Sequence, residues 1–383
     1  MINICSFSDI HIGIKTYGKI DPITGLNTRE IHALDVLDEV VNSAINNKRD
    51  ILLFAGDAYK NNLPSPTIQD EFNKRIKKAA DHGITCLILD GNHDVSKMNT
   101  TSSAMKQFDT LGVKNVIHTR FHKEYIYEKG NEKIKFVFLP TYHTEDEIKD
   151  IVNNTTYDGF PIIYIGHLTL TSAYLNDYMV AEKEVSVDYS IFKKEGVLAV
   201  DCGHLHKFQV LNNLPLIFYN GSTQRVDFNE ENQPKGYVDL FVDAINETID
   251  YKFCEVNTQK FYTLKIDLKE KQDGTQLVID ELERNKERIE NAIVRIICET
   301  NDNTILNSKD VYDYLLTLNP THMLDIQRIK DLSEHKRNTG INENTNIYNS
   351  LELYYKGKIR EKERIELGKQ IIEEVNNNEQ WNT

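Results

Sequence analysis

Five short clusters in this chain combine residue types that bind metal: Asp9-Ile10-His11, Gly56-Asp57, Gly91-Asn92-His93-Asp94, Gly166-His167 and Gly203-His204-Leu205-His206. They offer four imidazoles (His11, His167, His204, His206), two carboxylates (Asp9, Asp57) and one amide oxygen (Asn92). Such a mixed nitrogen and oxygen set suits Mn2+, Fe2+ or Zn2+ and suits Ca2+ poorly. Seven ligands exceed what one ion takes from protein; two ions sharing a bridging carboxylate use them all and keep positions open for water. Two ions about 3.5 to 4 Å apart can clamp a phosphoryl group and make a water-derived nucleophile available in line with the leaving oxygen, so phosphoester hydrolysis is the natural reaction class. Each cluster alone has an ordinary reading. Asp and His commonly end strands, Gly-Asn-His-Asp can be a turn with a helix cap, and His204 with His206 can be a surface pair. The weight rests on all five occurring together in this order.

Each cluster must be delivered by a framework, and the sequence supplies one. INICSFSDIH, RDILLFAGD, ITCLILDGNHD, PIIYIGH and GVLAVDCGH are β-branched runs that end abruptly in polar residues, as strands do when they present a site at their carboxyl ends. Helical spacing of apolar residues over 29–46 and 67–82 separates the first three, which predicts a parallel-rich α/β sheet. Further strands are expected at 135–139, 216–219 and 237–242. The glycines before the ligands are expected to turn the chain sharply and to let a phosphate approach. After Asn257 come a strand (FYTLKIDL), an acidic helix over 275–289, a strand (AIVRIICET), a helix (SKDVYDYLLTL) and a strand (MLDIQRI), the pattern of a small separate α/β domain. Residues 331–346 are polar and aperiodic and read as a linker. Residues 347–375 read as helix with an apolar face that needs something to pack on.

Composition narrows the setting. With 383 residues, 40% hydrophobic and 27% charged, the chain is neither disordered nor fibrous. No apolar run approaches the roughly 18 residues of a membrane span, and the N-terminus lacks the basic start of a secretion signal. Five dispersed cysteines without a CxxC pair read as reduced, buried thiols of a cytoplasmic protein. A net charge of −14 argues against coating nucleic acid by bulk electrostatics, so a nucleic-acid partner needs a local basic patch or bound metal.

The ordered set DxH, GD, GNHD, GH and GHxH, over residues 1 to 210, resembles the calcineurin-like metallophosphoesterase superfamily. Within it the chain resembles the SbcD-type nucleases of double-strand-break repair, through Asp9-Ile10-His11-Ile12-Gly13, Pro64-Ser65-Pro66 and Gly221-Ser222-Thr223-Gln224-Arg225-Val226-Asp227-Phe228 leading to Lys235-Gly236-Tyr237. The resemblance implies a four-layer α/β/β/α core of two mixed sheets flanked by helices, with a small α/β capping domain and a C-terminal helical segment. The boundaries expected are 1–257 for the nuclease domain, 258–330 for the cap, 331–346 for the linker and 347–383 for a helical ATPase-binding segment. It further implies that Asp9, His11, Asp57 and His206 hold one Mn2+ and that Asp57, Asn92, His167 and His204 hold a second, with Mg2+, Fe2+ or Zn2+ as other occupants. His93 then faces the scissile phosphate as transition-state stabiliser or acid, oriented by Asp94.

The implied activity is Mn2+-dependent DNA exonuclease and endonuclease cleavage of double-stranded ends, hairpins and single strands, in a homodimer joined to an SbcC-like coiled-coil ATPase. Candidate phosphate contacts are Lys15, Lys19, Lys60, Arg120, Lys123 and Arg225. One departure stands out: where the family's GDxxH pattern has a histidine that helps place the DNA strand, this chain has Lys60, a point charge that does not titrate near neutral pH. Two rival readings are another phosphoesterase of the same fold, such as a phosphatase or cyclic-nucleotide phosphodiesterase, and a metal-binding scaffold that clamps DNA without cutting it.

Overall fold

The computed structural model describes residues 1–97, 102–171, 174–175, 178–179, 185–269, 273–301, 304–330, 346–356 and 361–379. Its first compact unit comprises Met1–Leu264, Thr275–Ile296 and Asn307–Ile326. In this unit β1 (Ile2–Phe7), β2 (Ile51–Ala55), β3 (Thr85–Leu89) and β4 (Val116–Thr119) lie parallel and in order. Gly236–Asp243 pairs antiparallel with β1 and Thr248–Glu255 antiparallel with it in turn, which completes a six-stranded mixed sheet. A second six-stranded sheet begins with the antiparallel pair β5 (Lys123–Lys129) and β6 (Glu132–Phe138) and continues in parallel through β7 (Ile162–His167), Val197–Gly203 and Leu216–Tyr219. Gln209–Asn213 closes its far edge, antiparallel.

Burial explains why the strands read as continuous apolar runs. Every residue of β2, ILLFA, is buried, because both faces of the sheet are covered. Ile4, Leu53 and Leu87 on one sheet meet Phe136, Phe138, Ile163 and Phe218 on the other in the core between the sheets. The outer face of the first sheet packs on α1 (Thr28–Asn46) and α2 (Pro66–Asp81), through Leu37, Val40, Phe72 and Ile76. A short helix, α3 (Gln107–Thr110), precedes β4, and α4 (Glu145–Asn154) covers the second sheet through Ile148 and Val152. The order of layers is therefore α/β/β/α. Each fully buried Leu, Ile or Phe in these layers contributes roughly 1.5–3 kcal/mol.

Local signals start the helices where periodicity predicted them. Asn27 accepts from the Arg29 backbone, and Asn27 with Glu30 forms a capping box. Ser65 caps α2 and Pro66 sits at its first position, which gives the Pro64-Ser65-Pro66 motif a structural meaning. Four of the cysteines are buried, Cys254 is half-buried, and all five are free thiols.

The first unit further includes the helices Thr275–Arg284, Lys286–Ile289 and Ser308–Thr317 and the parallel pairing of Ile293 with His322 and of Val294 with Met323. The acidic helix expected over 275–289 is broken at Asn285. The single strand expected near 323–329 is two short ones, His322–Met323 and Gln327–Lys330. The second unit comprises Lys265–Gly274, Ile297–Leu306 and Gln327–Thr383. It contains the parallel pairing of Ile297–Thr300 with Gln327–Lys330 and two helices, Ile347–Tyr355 and Glu361–Glu379. Linker residues 331–345, and residues 357–360 and 380–383 of the expected helical segment, lie outside the described residues. Among the described residues, no helix is long and apolar enough to cross a membrane.

Candidate metal centre

The loops after β1 and β2 stay paired beyond the strands. Asp9 N donates to Gly56 O at 2.9 Å, His11 N to Asp57 O at 3.0 Å and Ile12 N to Ala58 O at 2.8 Å. This extended pairing holds Asp9 (φ 53°), His11 (φ 47°) and Asp57 (φ 61°) in the left-handed region, and His204 (φ 94°) joins them from the second sheet. Such conformations cost on the order of 1–3 kcal/mol each for residues with a Cβ and persist only where neighbours enforce them. The strain turns the side chains at the strand ends toward a common point.

There the ligand atoms lie close together. His11 Nε2 is 2.9 Å from His206 Nε2. Asn92 Oδ1 is 3.0 Å from His167 Nε2 and 3.2 Å from His204 Nδ1. Asp57 Oδ2 stands between the two groups, 3.6 Å from His11 Nε2 and 3.3 Å from His167 Nε2. Asp9, His11 and His206 form one set of ligand atoms within 4.8 Å of one another; Asp9, Asp57 and His167 form a second, and His11, Asp57 and His93 a third. Two donors held about 2.1 Å from one ion at a right angle are about 3 Å apart, so these spacings are those of coordination edges. The donor set and its spacing fit a pair of divalent cations with Asp57 between them.

The electrostatics agree. Burial pushes the Asp57 carboxyl up, but the charges of His167 and His11 outweigh it and hold the group well below the usual carboxylate range. Burial pulls His167 down, yet Asp57 and Asp9 lift it to about 10, whereas burial alone dominates His11 and drives it to about 3. The buried Asp57 and Asp9 thus concentrate negative charge at a point that favours a cation.

Three of the imidazoles, those of His167, His93 and His206, are oriented through their other nitrogen. His167 Nδ1–H donates to Ala55 O (2.8 Å) and His93 Nδ1–H to Lys60 O (2.9 Å), which leaves each Nε2 for the site. His206 Nδ1–H donates to Glu230 Oε1 at 2.7 Å. Burial raises the Glu230 carboxyl, but His206 and Lys235 outweigh it and bring it to about 2. Lys235 Nζ completes this brace at 2.8 Å from Glu230 Oε2, 2.7 Å from Ser222 Oγ and 3.0 Å from His206 O. Gln224 Nε2 donates to Ile10 O. The Gly221–Phe228 motif and Lys235 therefore hold the loops of Asp9, His11 and His206. Reading the sequence did not find Glu230; its only signal was an acidic residue between two parts of that motif.

Three expectations are corrected. Asp94 does not orient the His93 ring; its carboxylate accepts the backbone N–H groups of Asp57 (2.8 Å), Ala58 (3.2 Å), Tyr59 (3.0 Å) and Gly91 (2.9 Å), and so shapes the loop beneath the ligands. The space beside Gly56, Gly91 and Gly203 is filled by the cluster and its backbone rather than left open for a phosphate, and that beside Gly166 is filled by Leu168. A Cβ at Gly91 would lie 2.1 Å from Asp57 Oδ1, one at Gly56 2.4 Å from His167 Nδ1, and one at Gly203 2.2 Å from Ala55 O. Arg225 is a brace rather than a phosphate contact, because its guanidinium donates to the carbonyls of Glu230, Glu231, Gln233 and Gln259 at 3.0–3.2 Å. Arg120 is likewise buried, with Nη2 on Ser96 O at 3.0 Å, and Lys123 Nζ is 3.5 Å from His118 O. Lys15, Lys19 and Lys60 are exposed, and Lys15 and Lys60 line a cavity of about 310 Å3 together with Gly13, Tyr17 and Asp227.

A four-layer α/β/β/α fold with this ligand cluster at the carboxyl ends of its parallel strands defines a metallophosphoesterase. Residues 2–208 match the calcineurin-like phosphoesterase family, and the chain belongs to it; the family is one of hydrolases that bind divalent metals. The chain is 25% identical over 241 residues to a DNA double-strand break repair protein Mre11 of Thermoplasma acidophilum, covering 61% of this chain and 58% of that protein. It is 21% identical over 343 residues to the Sulfolobus acidocaldarius protein of the same name, covering 88% of this chain and 81% of the other. With the SbcD component of the nuclease SbcCD of Escherichia coli K12 it shares 23% identity over 303 residues, 70% and 72% of the two chains.

Proposed function

We propose that this chain is a Mn2+-dependent DNA exonuclease and endonuclease, the nuclease subunit of an SbcC–SbcD-like repair complex. The observation that carries the reading is the ligand cluster with His93 at its edge, in a chain whose named relatives are break-repair proteins and a nuclease. Asp9, His11, Asp57 and His206 hold one ion in this reading, and Asp57, Asn92, His167 and His204 the other. Bound there, two divalent ions supply Lewis-acid stabilisation of the phosphoryl oxygens and an acidified water.

The chain's own residues do the rest. Asp57 keeps the two ligand groups together, and the Asp94-bound loop fixes the position of Asp57. His93, its Nδ1–H tied to Lys60 O, presents Nε2 to the scissile phosphate, where it stabilises the developing charge or protonates the leaving oxygen. Lys15 and Lys60 provide phosphate contacts beside it, in an otherwise acidic chain. The two C-terminal helices form the site for the coiled coil of the ATPase partner. Support comes from their apolar groove, lined by Ile347, Leu351, Tyr354, Ile371 and Ile372, and from Ile347–Tyr355 having no buried residue. The nuclease cores pair as a homodimer.

The test is hydrolysis of end-labelled linear duplex DNA by the purified chain with Mn2+, Mg2+ or EDTA, beside a His93→Ala control and a phosphomonoester. Mn2+-dependent nucleotide release that His93→Ala abolishes is expected. Monoester turnover with intact DNA would move the assignment to a phosphatase, and silence on both, repeated with the ATPase partner, to a scaffold.

A further inference from the structure

The chain leaves the ladder between β3 and β4 after Leu89, so the carbonyls of the loop that follows need partners from elsewhere. Gly91 O accepts from Asp94 N at 3.2 Å within the loop itself. Three others are served from the second sheet, by the turn after β6. Thr141 Oγ1 donates to Asp90 O at 2.6 Å, and the hydroxyl of Tyr142 donates to Asn92 O at 3.1 Å and to Val95 O at 3.2 Å, one hydrogen shared between two acceptors. This turn is stiff. Leu139 N donates to Ile165 O of β7 at 2.8 Å, His143 Nδ1–H donates back to Pro140 O at 3.1 Å, and Thr144 opens α4 in a capping box with Glu147.

The peptide between Asn92 and His93 is thereby held at both of its polar atoms. Its oxygen lies on the Tyr142 hydroxyl, and its N–H donates to Asp57 Oδ1 at 2.8 Å. A planar unit gripped at oxygen and nitrogen cannot turn about the chain, and this one joins the two residues whose direction matters most in the loop. On one side Asn92 Oδ1 reaches His167 Nε2 at 3.0 Å and His204 Nδ1 at 3.2 Å; on the other stands the His93 ring, with Nδ1–H on Lys60 O. We propose that Tyr142 is a positioning residue for the reaction: its hydroxyl, brought from the second sheet, sets the peptide plane from which Asn92 turns to the ligand cluster and His93 to the phosphate. The proposal rests on the roles of Asn92 and His93 given above.

The experiment uses the full chain with saturating Mn2+ and bis(p-nitrophenyl) phosphate. Tyr142→Phe keeps the ring and removes only the hydroxyl; kcat is expected to fall about tenfold while KM changes less than about twofold, since the loss falls on geometry needed in the transition state. In a His93→Ala background the same substitution should lower kcat less than about twofold, because the group it aims is gone. A fall of the same size in both backgrounds would mean that the hydroxyl acts on something other than His93, and would overturn the proposal, as would an unchanged kcat for Tyr142→Phe alone. Backbone amide exchange, read without metal or substrate, should run about tenfold faster at His93 in Tyr142→Phe than in the wild type, and equal exchange counts against the proposal independently of any activity. A wild-type His93 amide that exchanges as fast as one in an unstructured peptide overturns it with no variant needed. If the wild-type chain hydrolyses neither this diester nor DNA, the nuclease reading fails, and exchange at His93 still decides whether Tyr142 holds the peptide.

Discussion

The candidate metal centre draws its proposed ligands from two sheets that hold them in different ways. The first sheet supplies Asp9, His11, Asp57, Asn92 and His93 from loops whose main chain is gripped: the β1 and β2 loops pair with each other, and Asp94 alone takes four backbone N–H groups. The second sheet supplies His167, His204 and His206, and there His167 and His206 are each set by a single acceptor on Nδ1, Ala55 O for one and Glu230 for the other. A carboxylate ligand can rotate freely, so its loop must be rigid. An imidazole has a second nitrogen by which it can be aimed, so its loop has less to do. Removing a support should therefore damage the whole centre on the first side and one ligand on the second.

The largest effect is expected from Asp94→Ala, which leaves four backbone N–H groups without their acceptor in a buried setting. At about 1–3 kcal/mol for each group left unsatisfied, the loop should lose its shape and Mn2+ binding should vanish in calorimetric titration. Retention of both stability and Mn2+ affinity would remove the basis of the comparison. His93→Ala comes next: under the proposed reading, in which His93 acts on substrate and holds no metal, kcat for a phosphodiester should fall about 10²- to 10⁴-fold with Mn2+ content unchanged, and a lost ion would make His93 a ligand instead. Glu230→Gln sharpens the contrast from the other side, with an expected 10- to 100-fold loss of affinity for one of two Mn2+ ions in a two-site titration. Equal weakening of both ions would show that Glu230 supports more than His206.

An effect on stability alone, and none on catalysis, comes from the second sheet. Asp201, in the strand Val197–Gly203, is fully buried with Oδ1 on Asn220 Nδ2 at 2.5 Å, and burial lifts its carboxyl to about 7. A raised carboxyl favours the protonated folded state. Its contribution is thus fully present below the ordinary value near 4 and is lost as pH rises to 7, a change of about 4 kcal/mol at roughly 1.4 kcal/mol per pH unit. Asp201→Asn should match the wild type in urea unfolding near pH 4 and exceed it at pH 8; an equal difference at both pH values would contradict the assignment. The smallest expected effect is that of Lys60→His. The Lys60 carbonyl, which holds His93, is unchanged by the substitution, so the rate should move only a few-fold while the product ladder on duplex DNA shifts. An unchanged ladder would mean that the Lys60 side chain does not guide the strand.

The chain's local chemistry was open to direct reading. Apolar runs ending in Asp or His marked the strands that carry the candidate ligands, and apolar spacing marked the helices over 29–46 and 67–82, because periodicity acts over a few residues; the caps at Asn27 and Ser65 came from the structure. The residues expected as ligands lie together at the strand ends, Asn92 and His204 included. What could not be read were supports fixed by distant pairings: Glu230 on His206 across 24 residues, Asp94 on the Asp57 loop across 37, and Arg225 turned inward to Gln259 across 34. Gly91 looked like space for a phosphate until folding placed the Asp57 carboxylate against it. Residue type and spacing determined by themselves which chemistry the chain carries. The tertiary structure decided which atoms aim that chemistry, since a hydrogen bond closed over tens of residues leaves no periodic trace in the sequence.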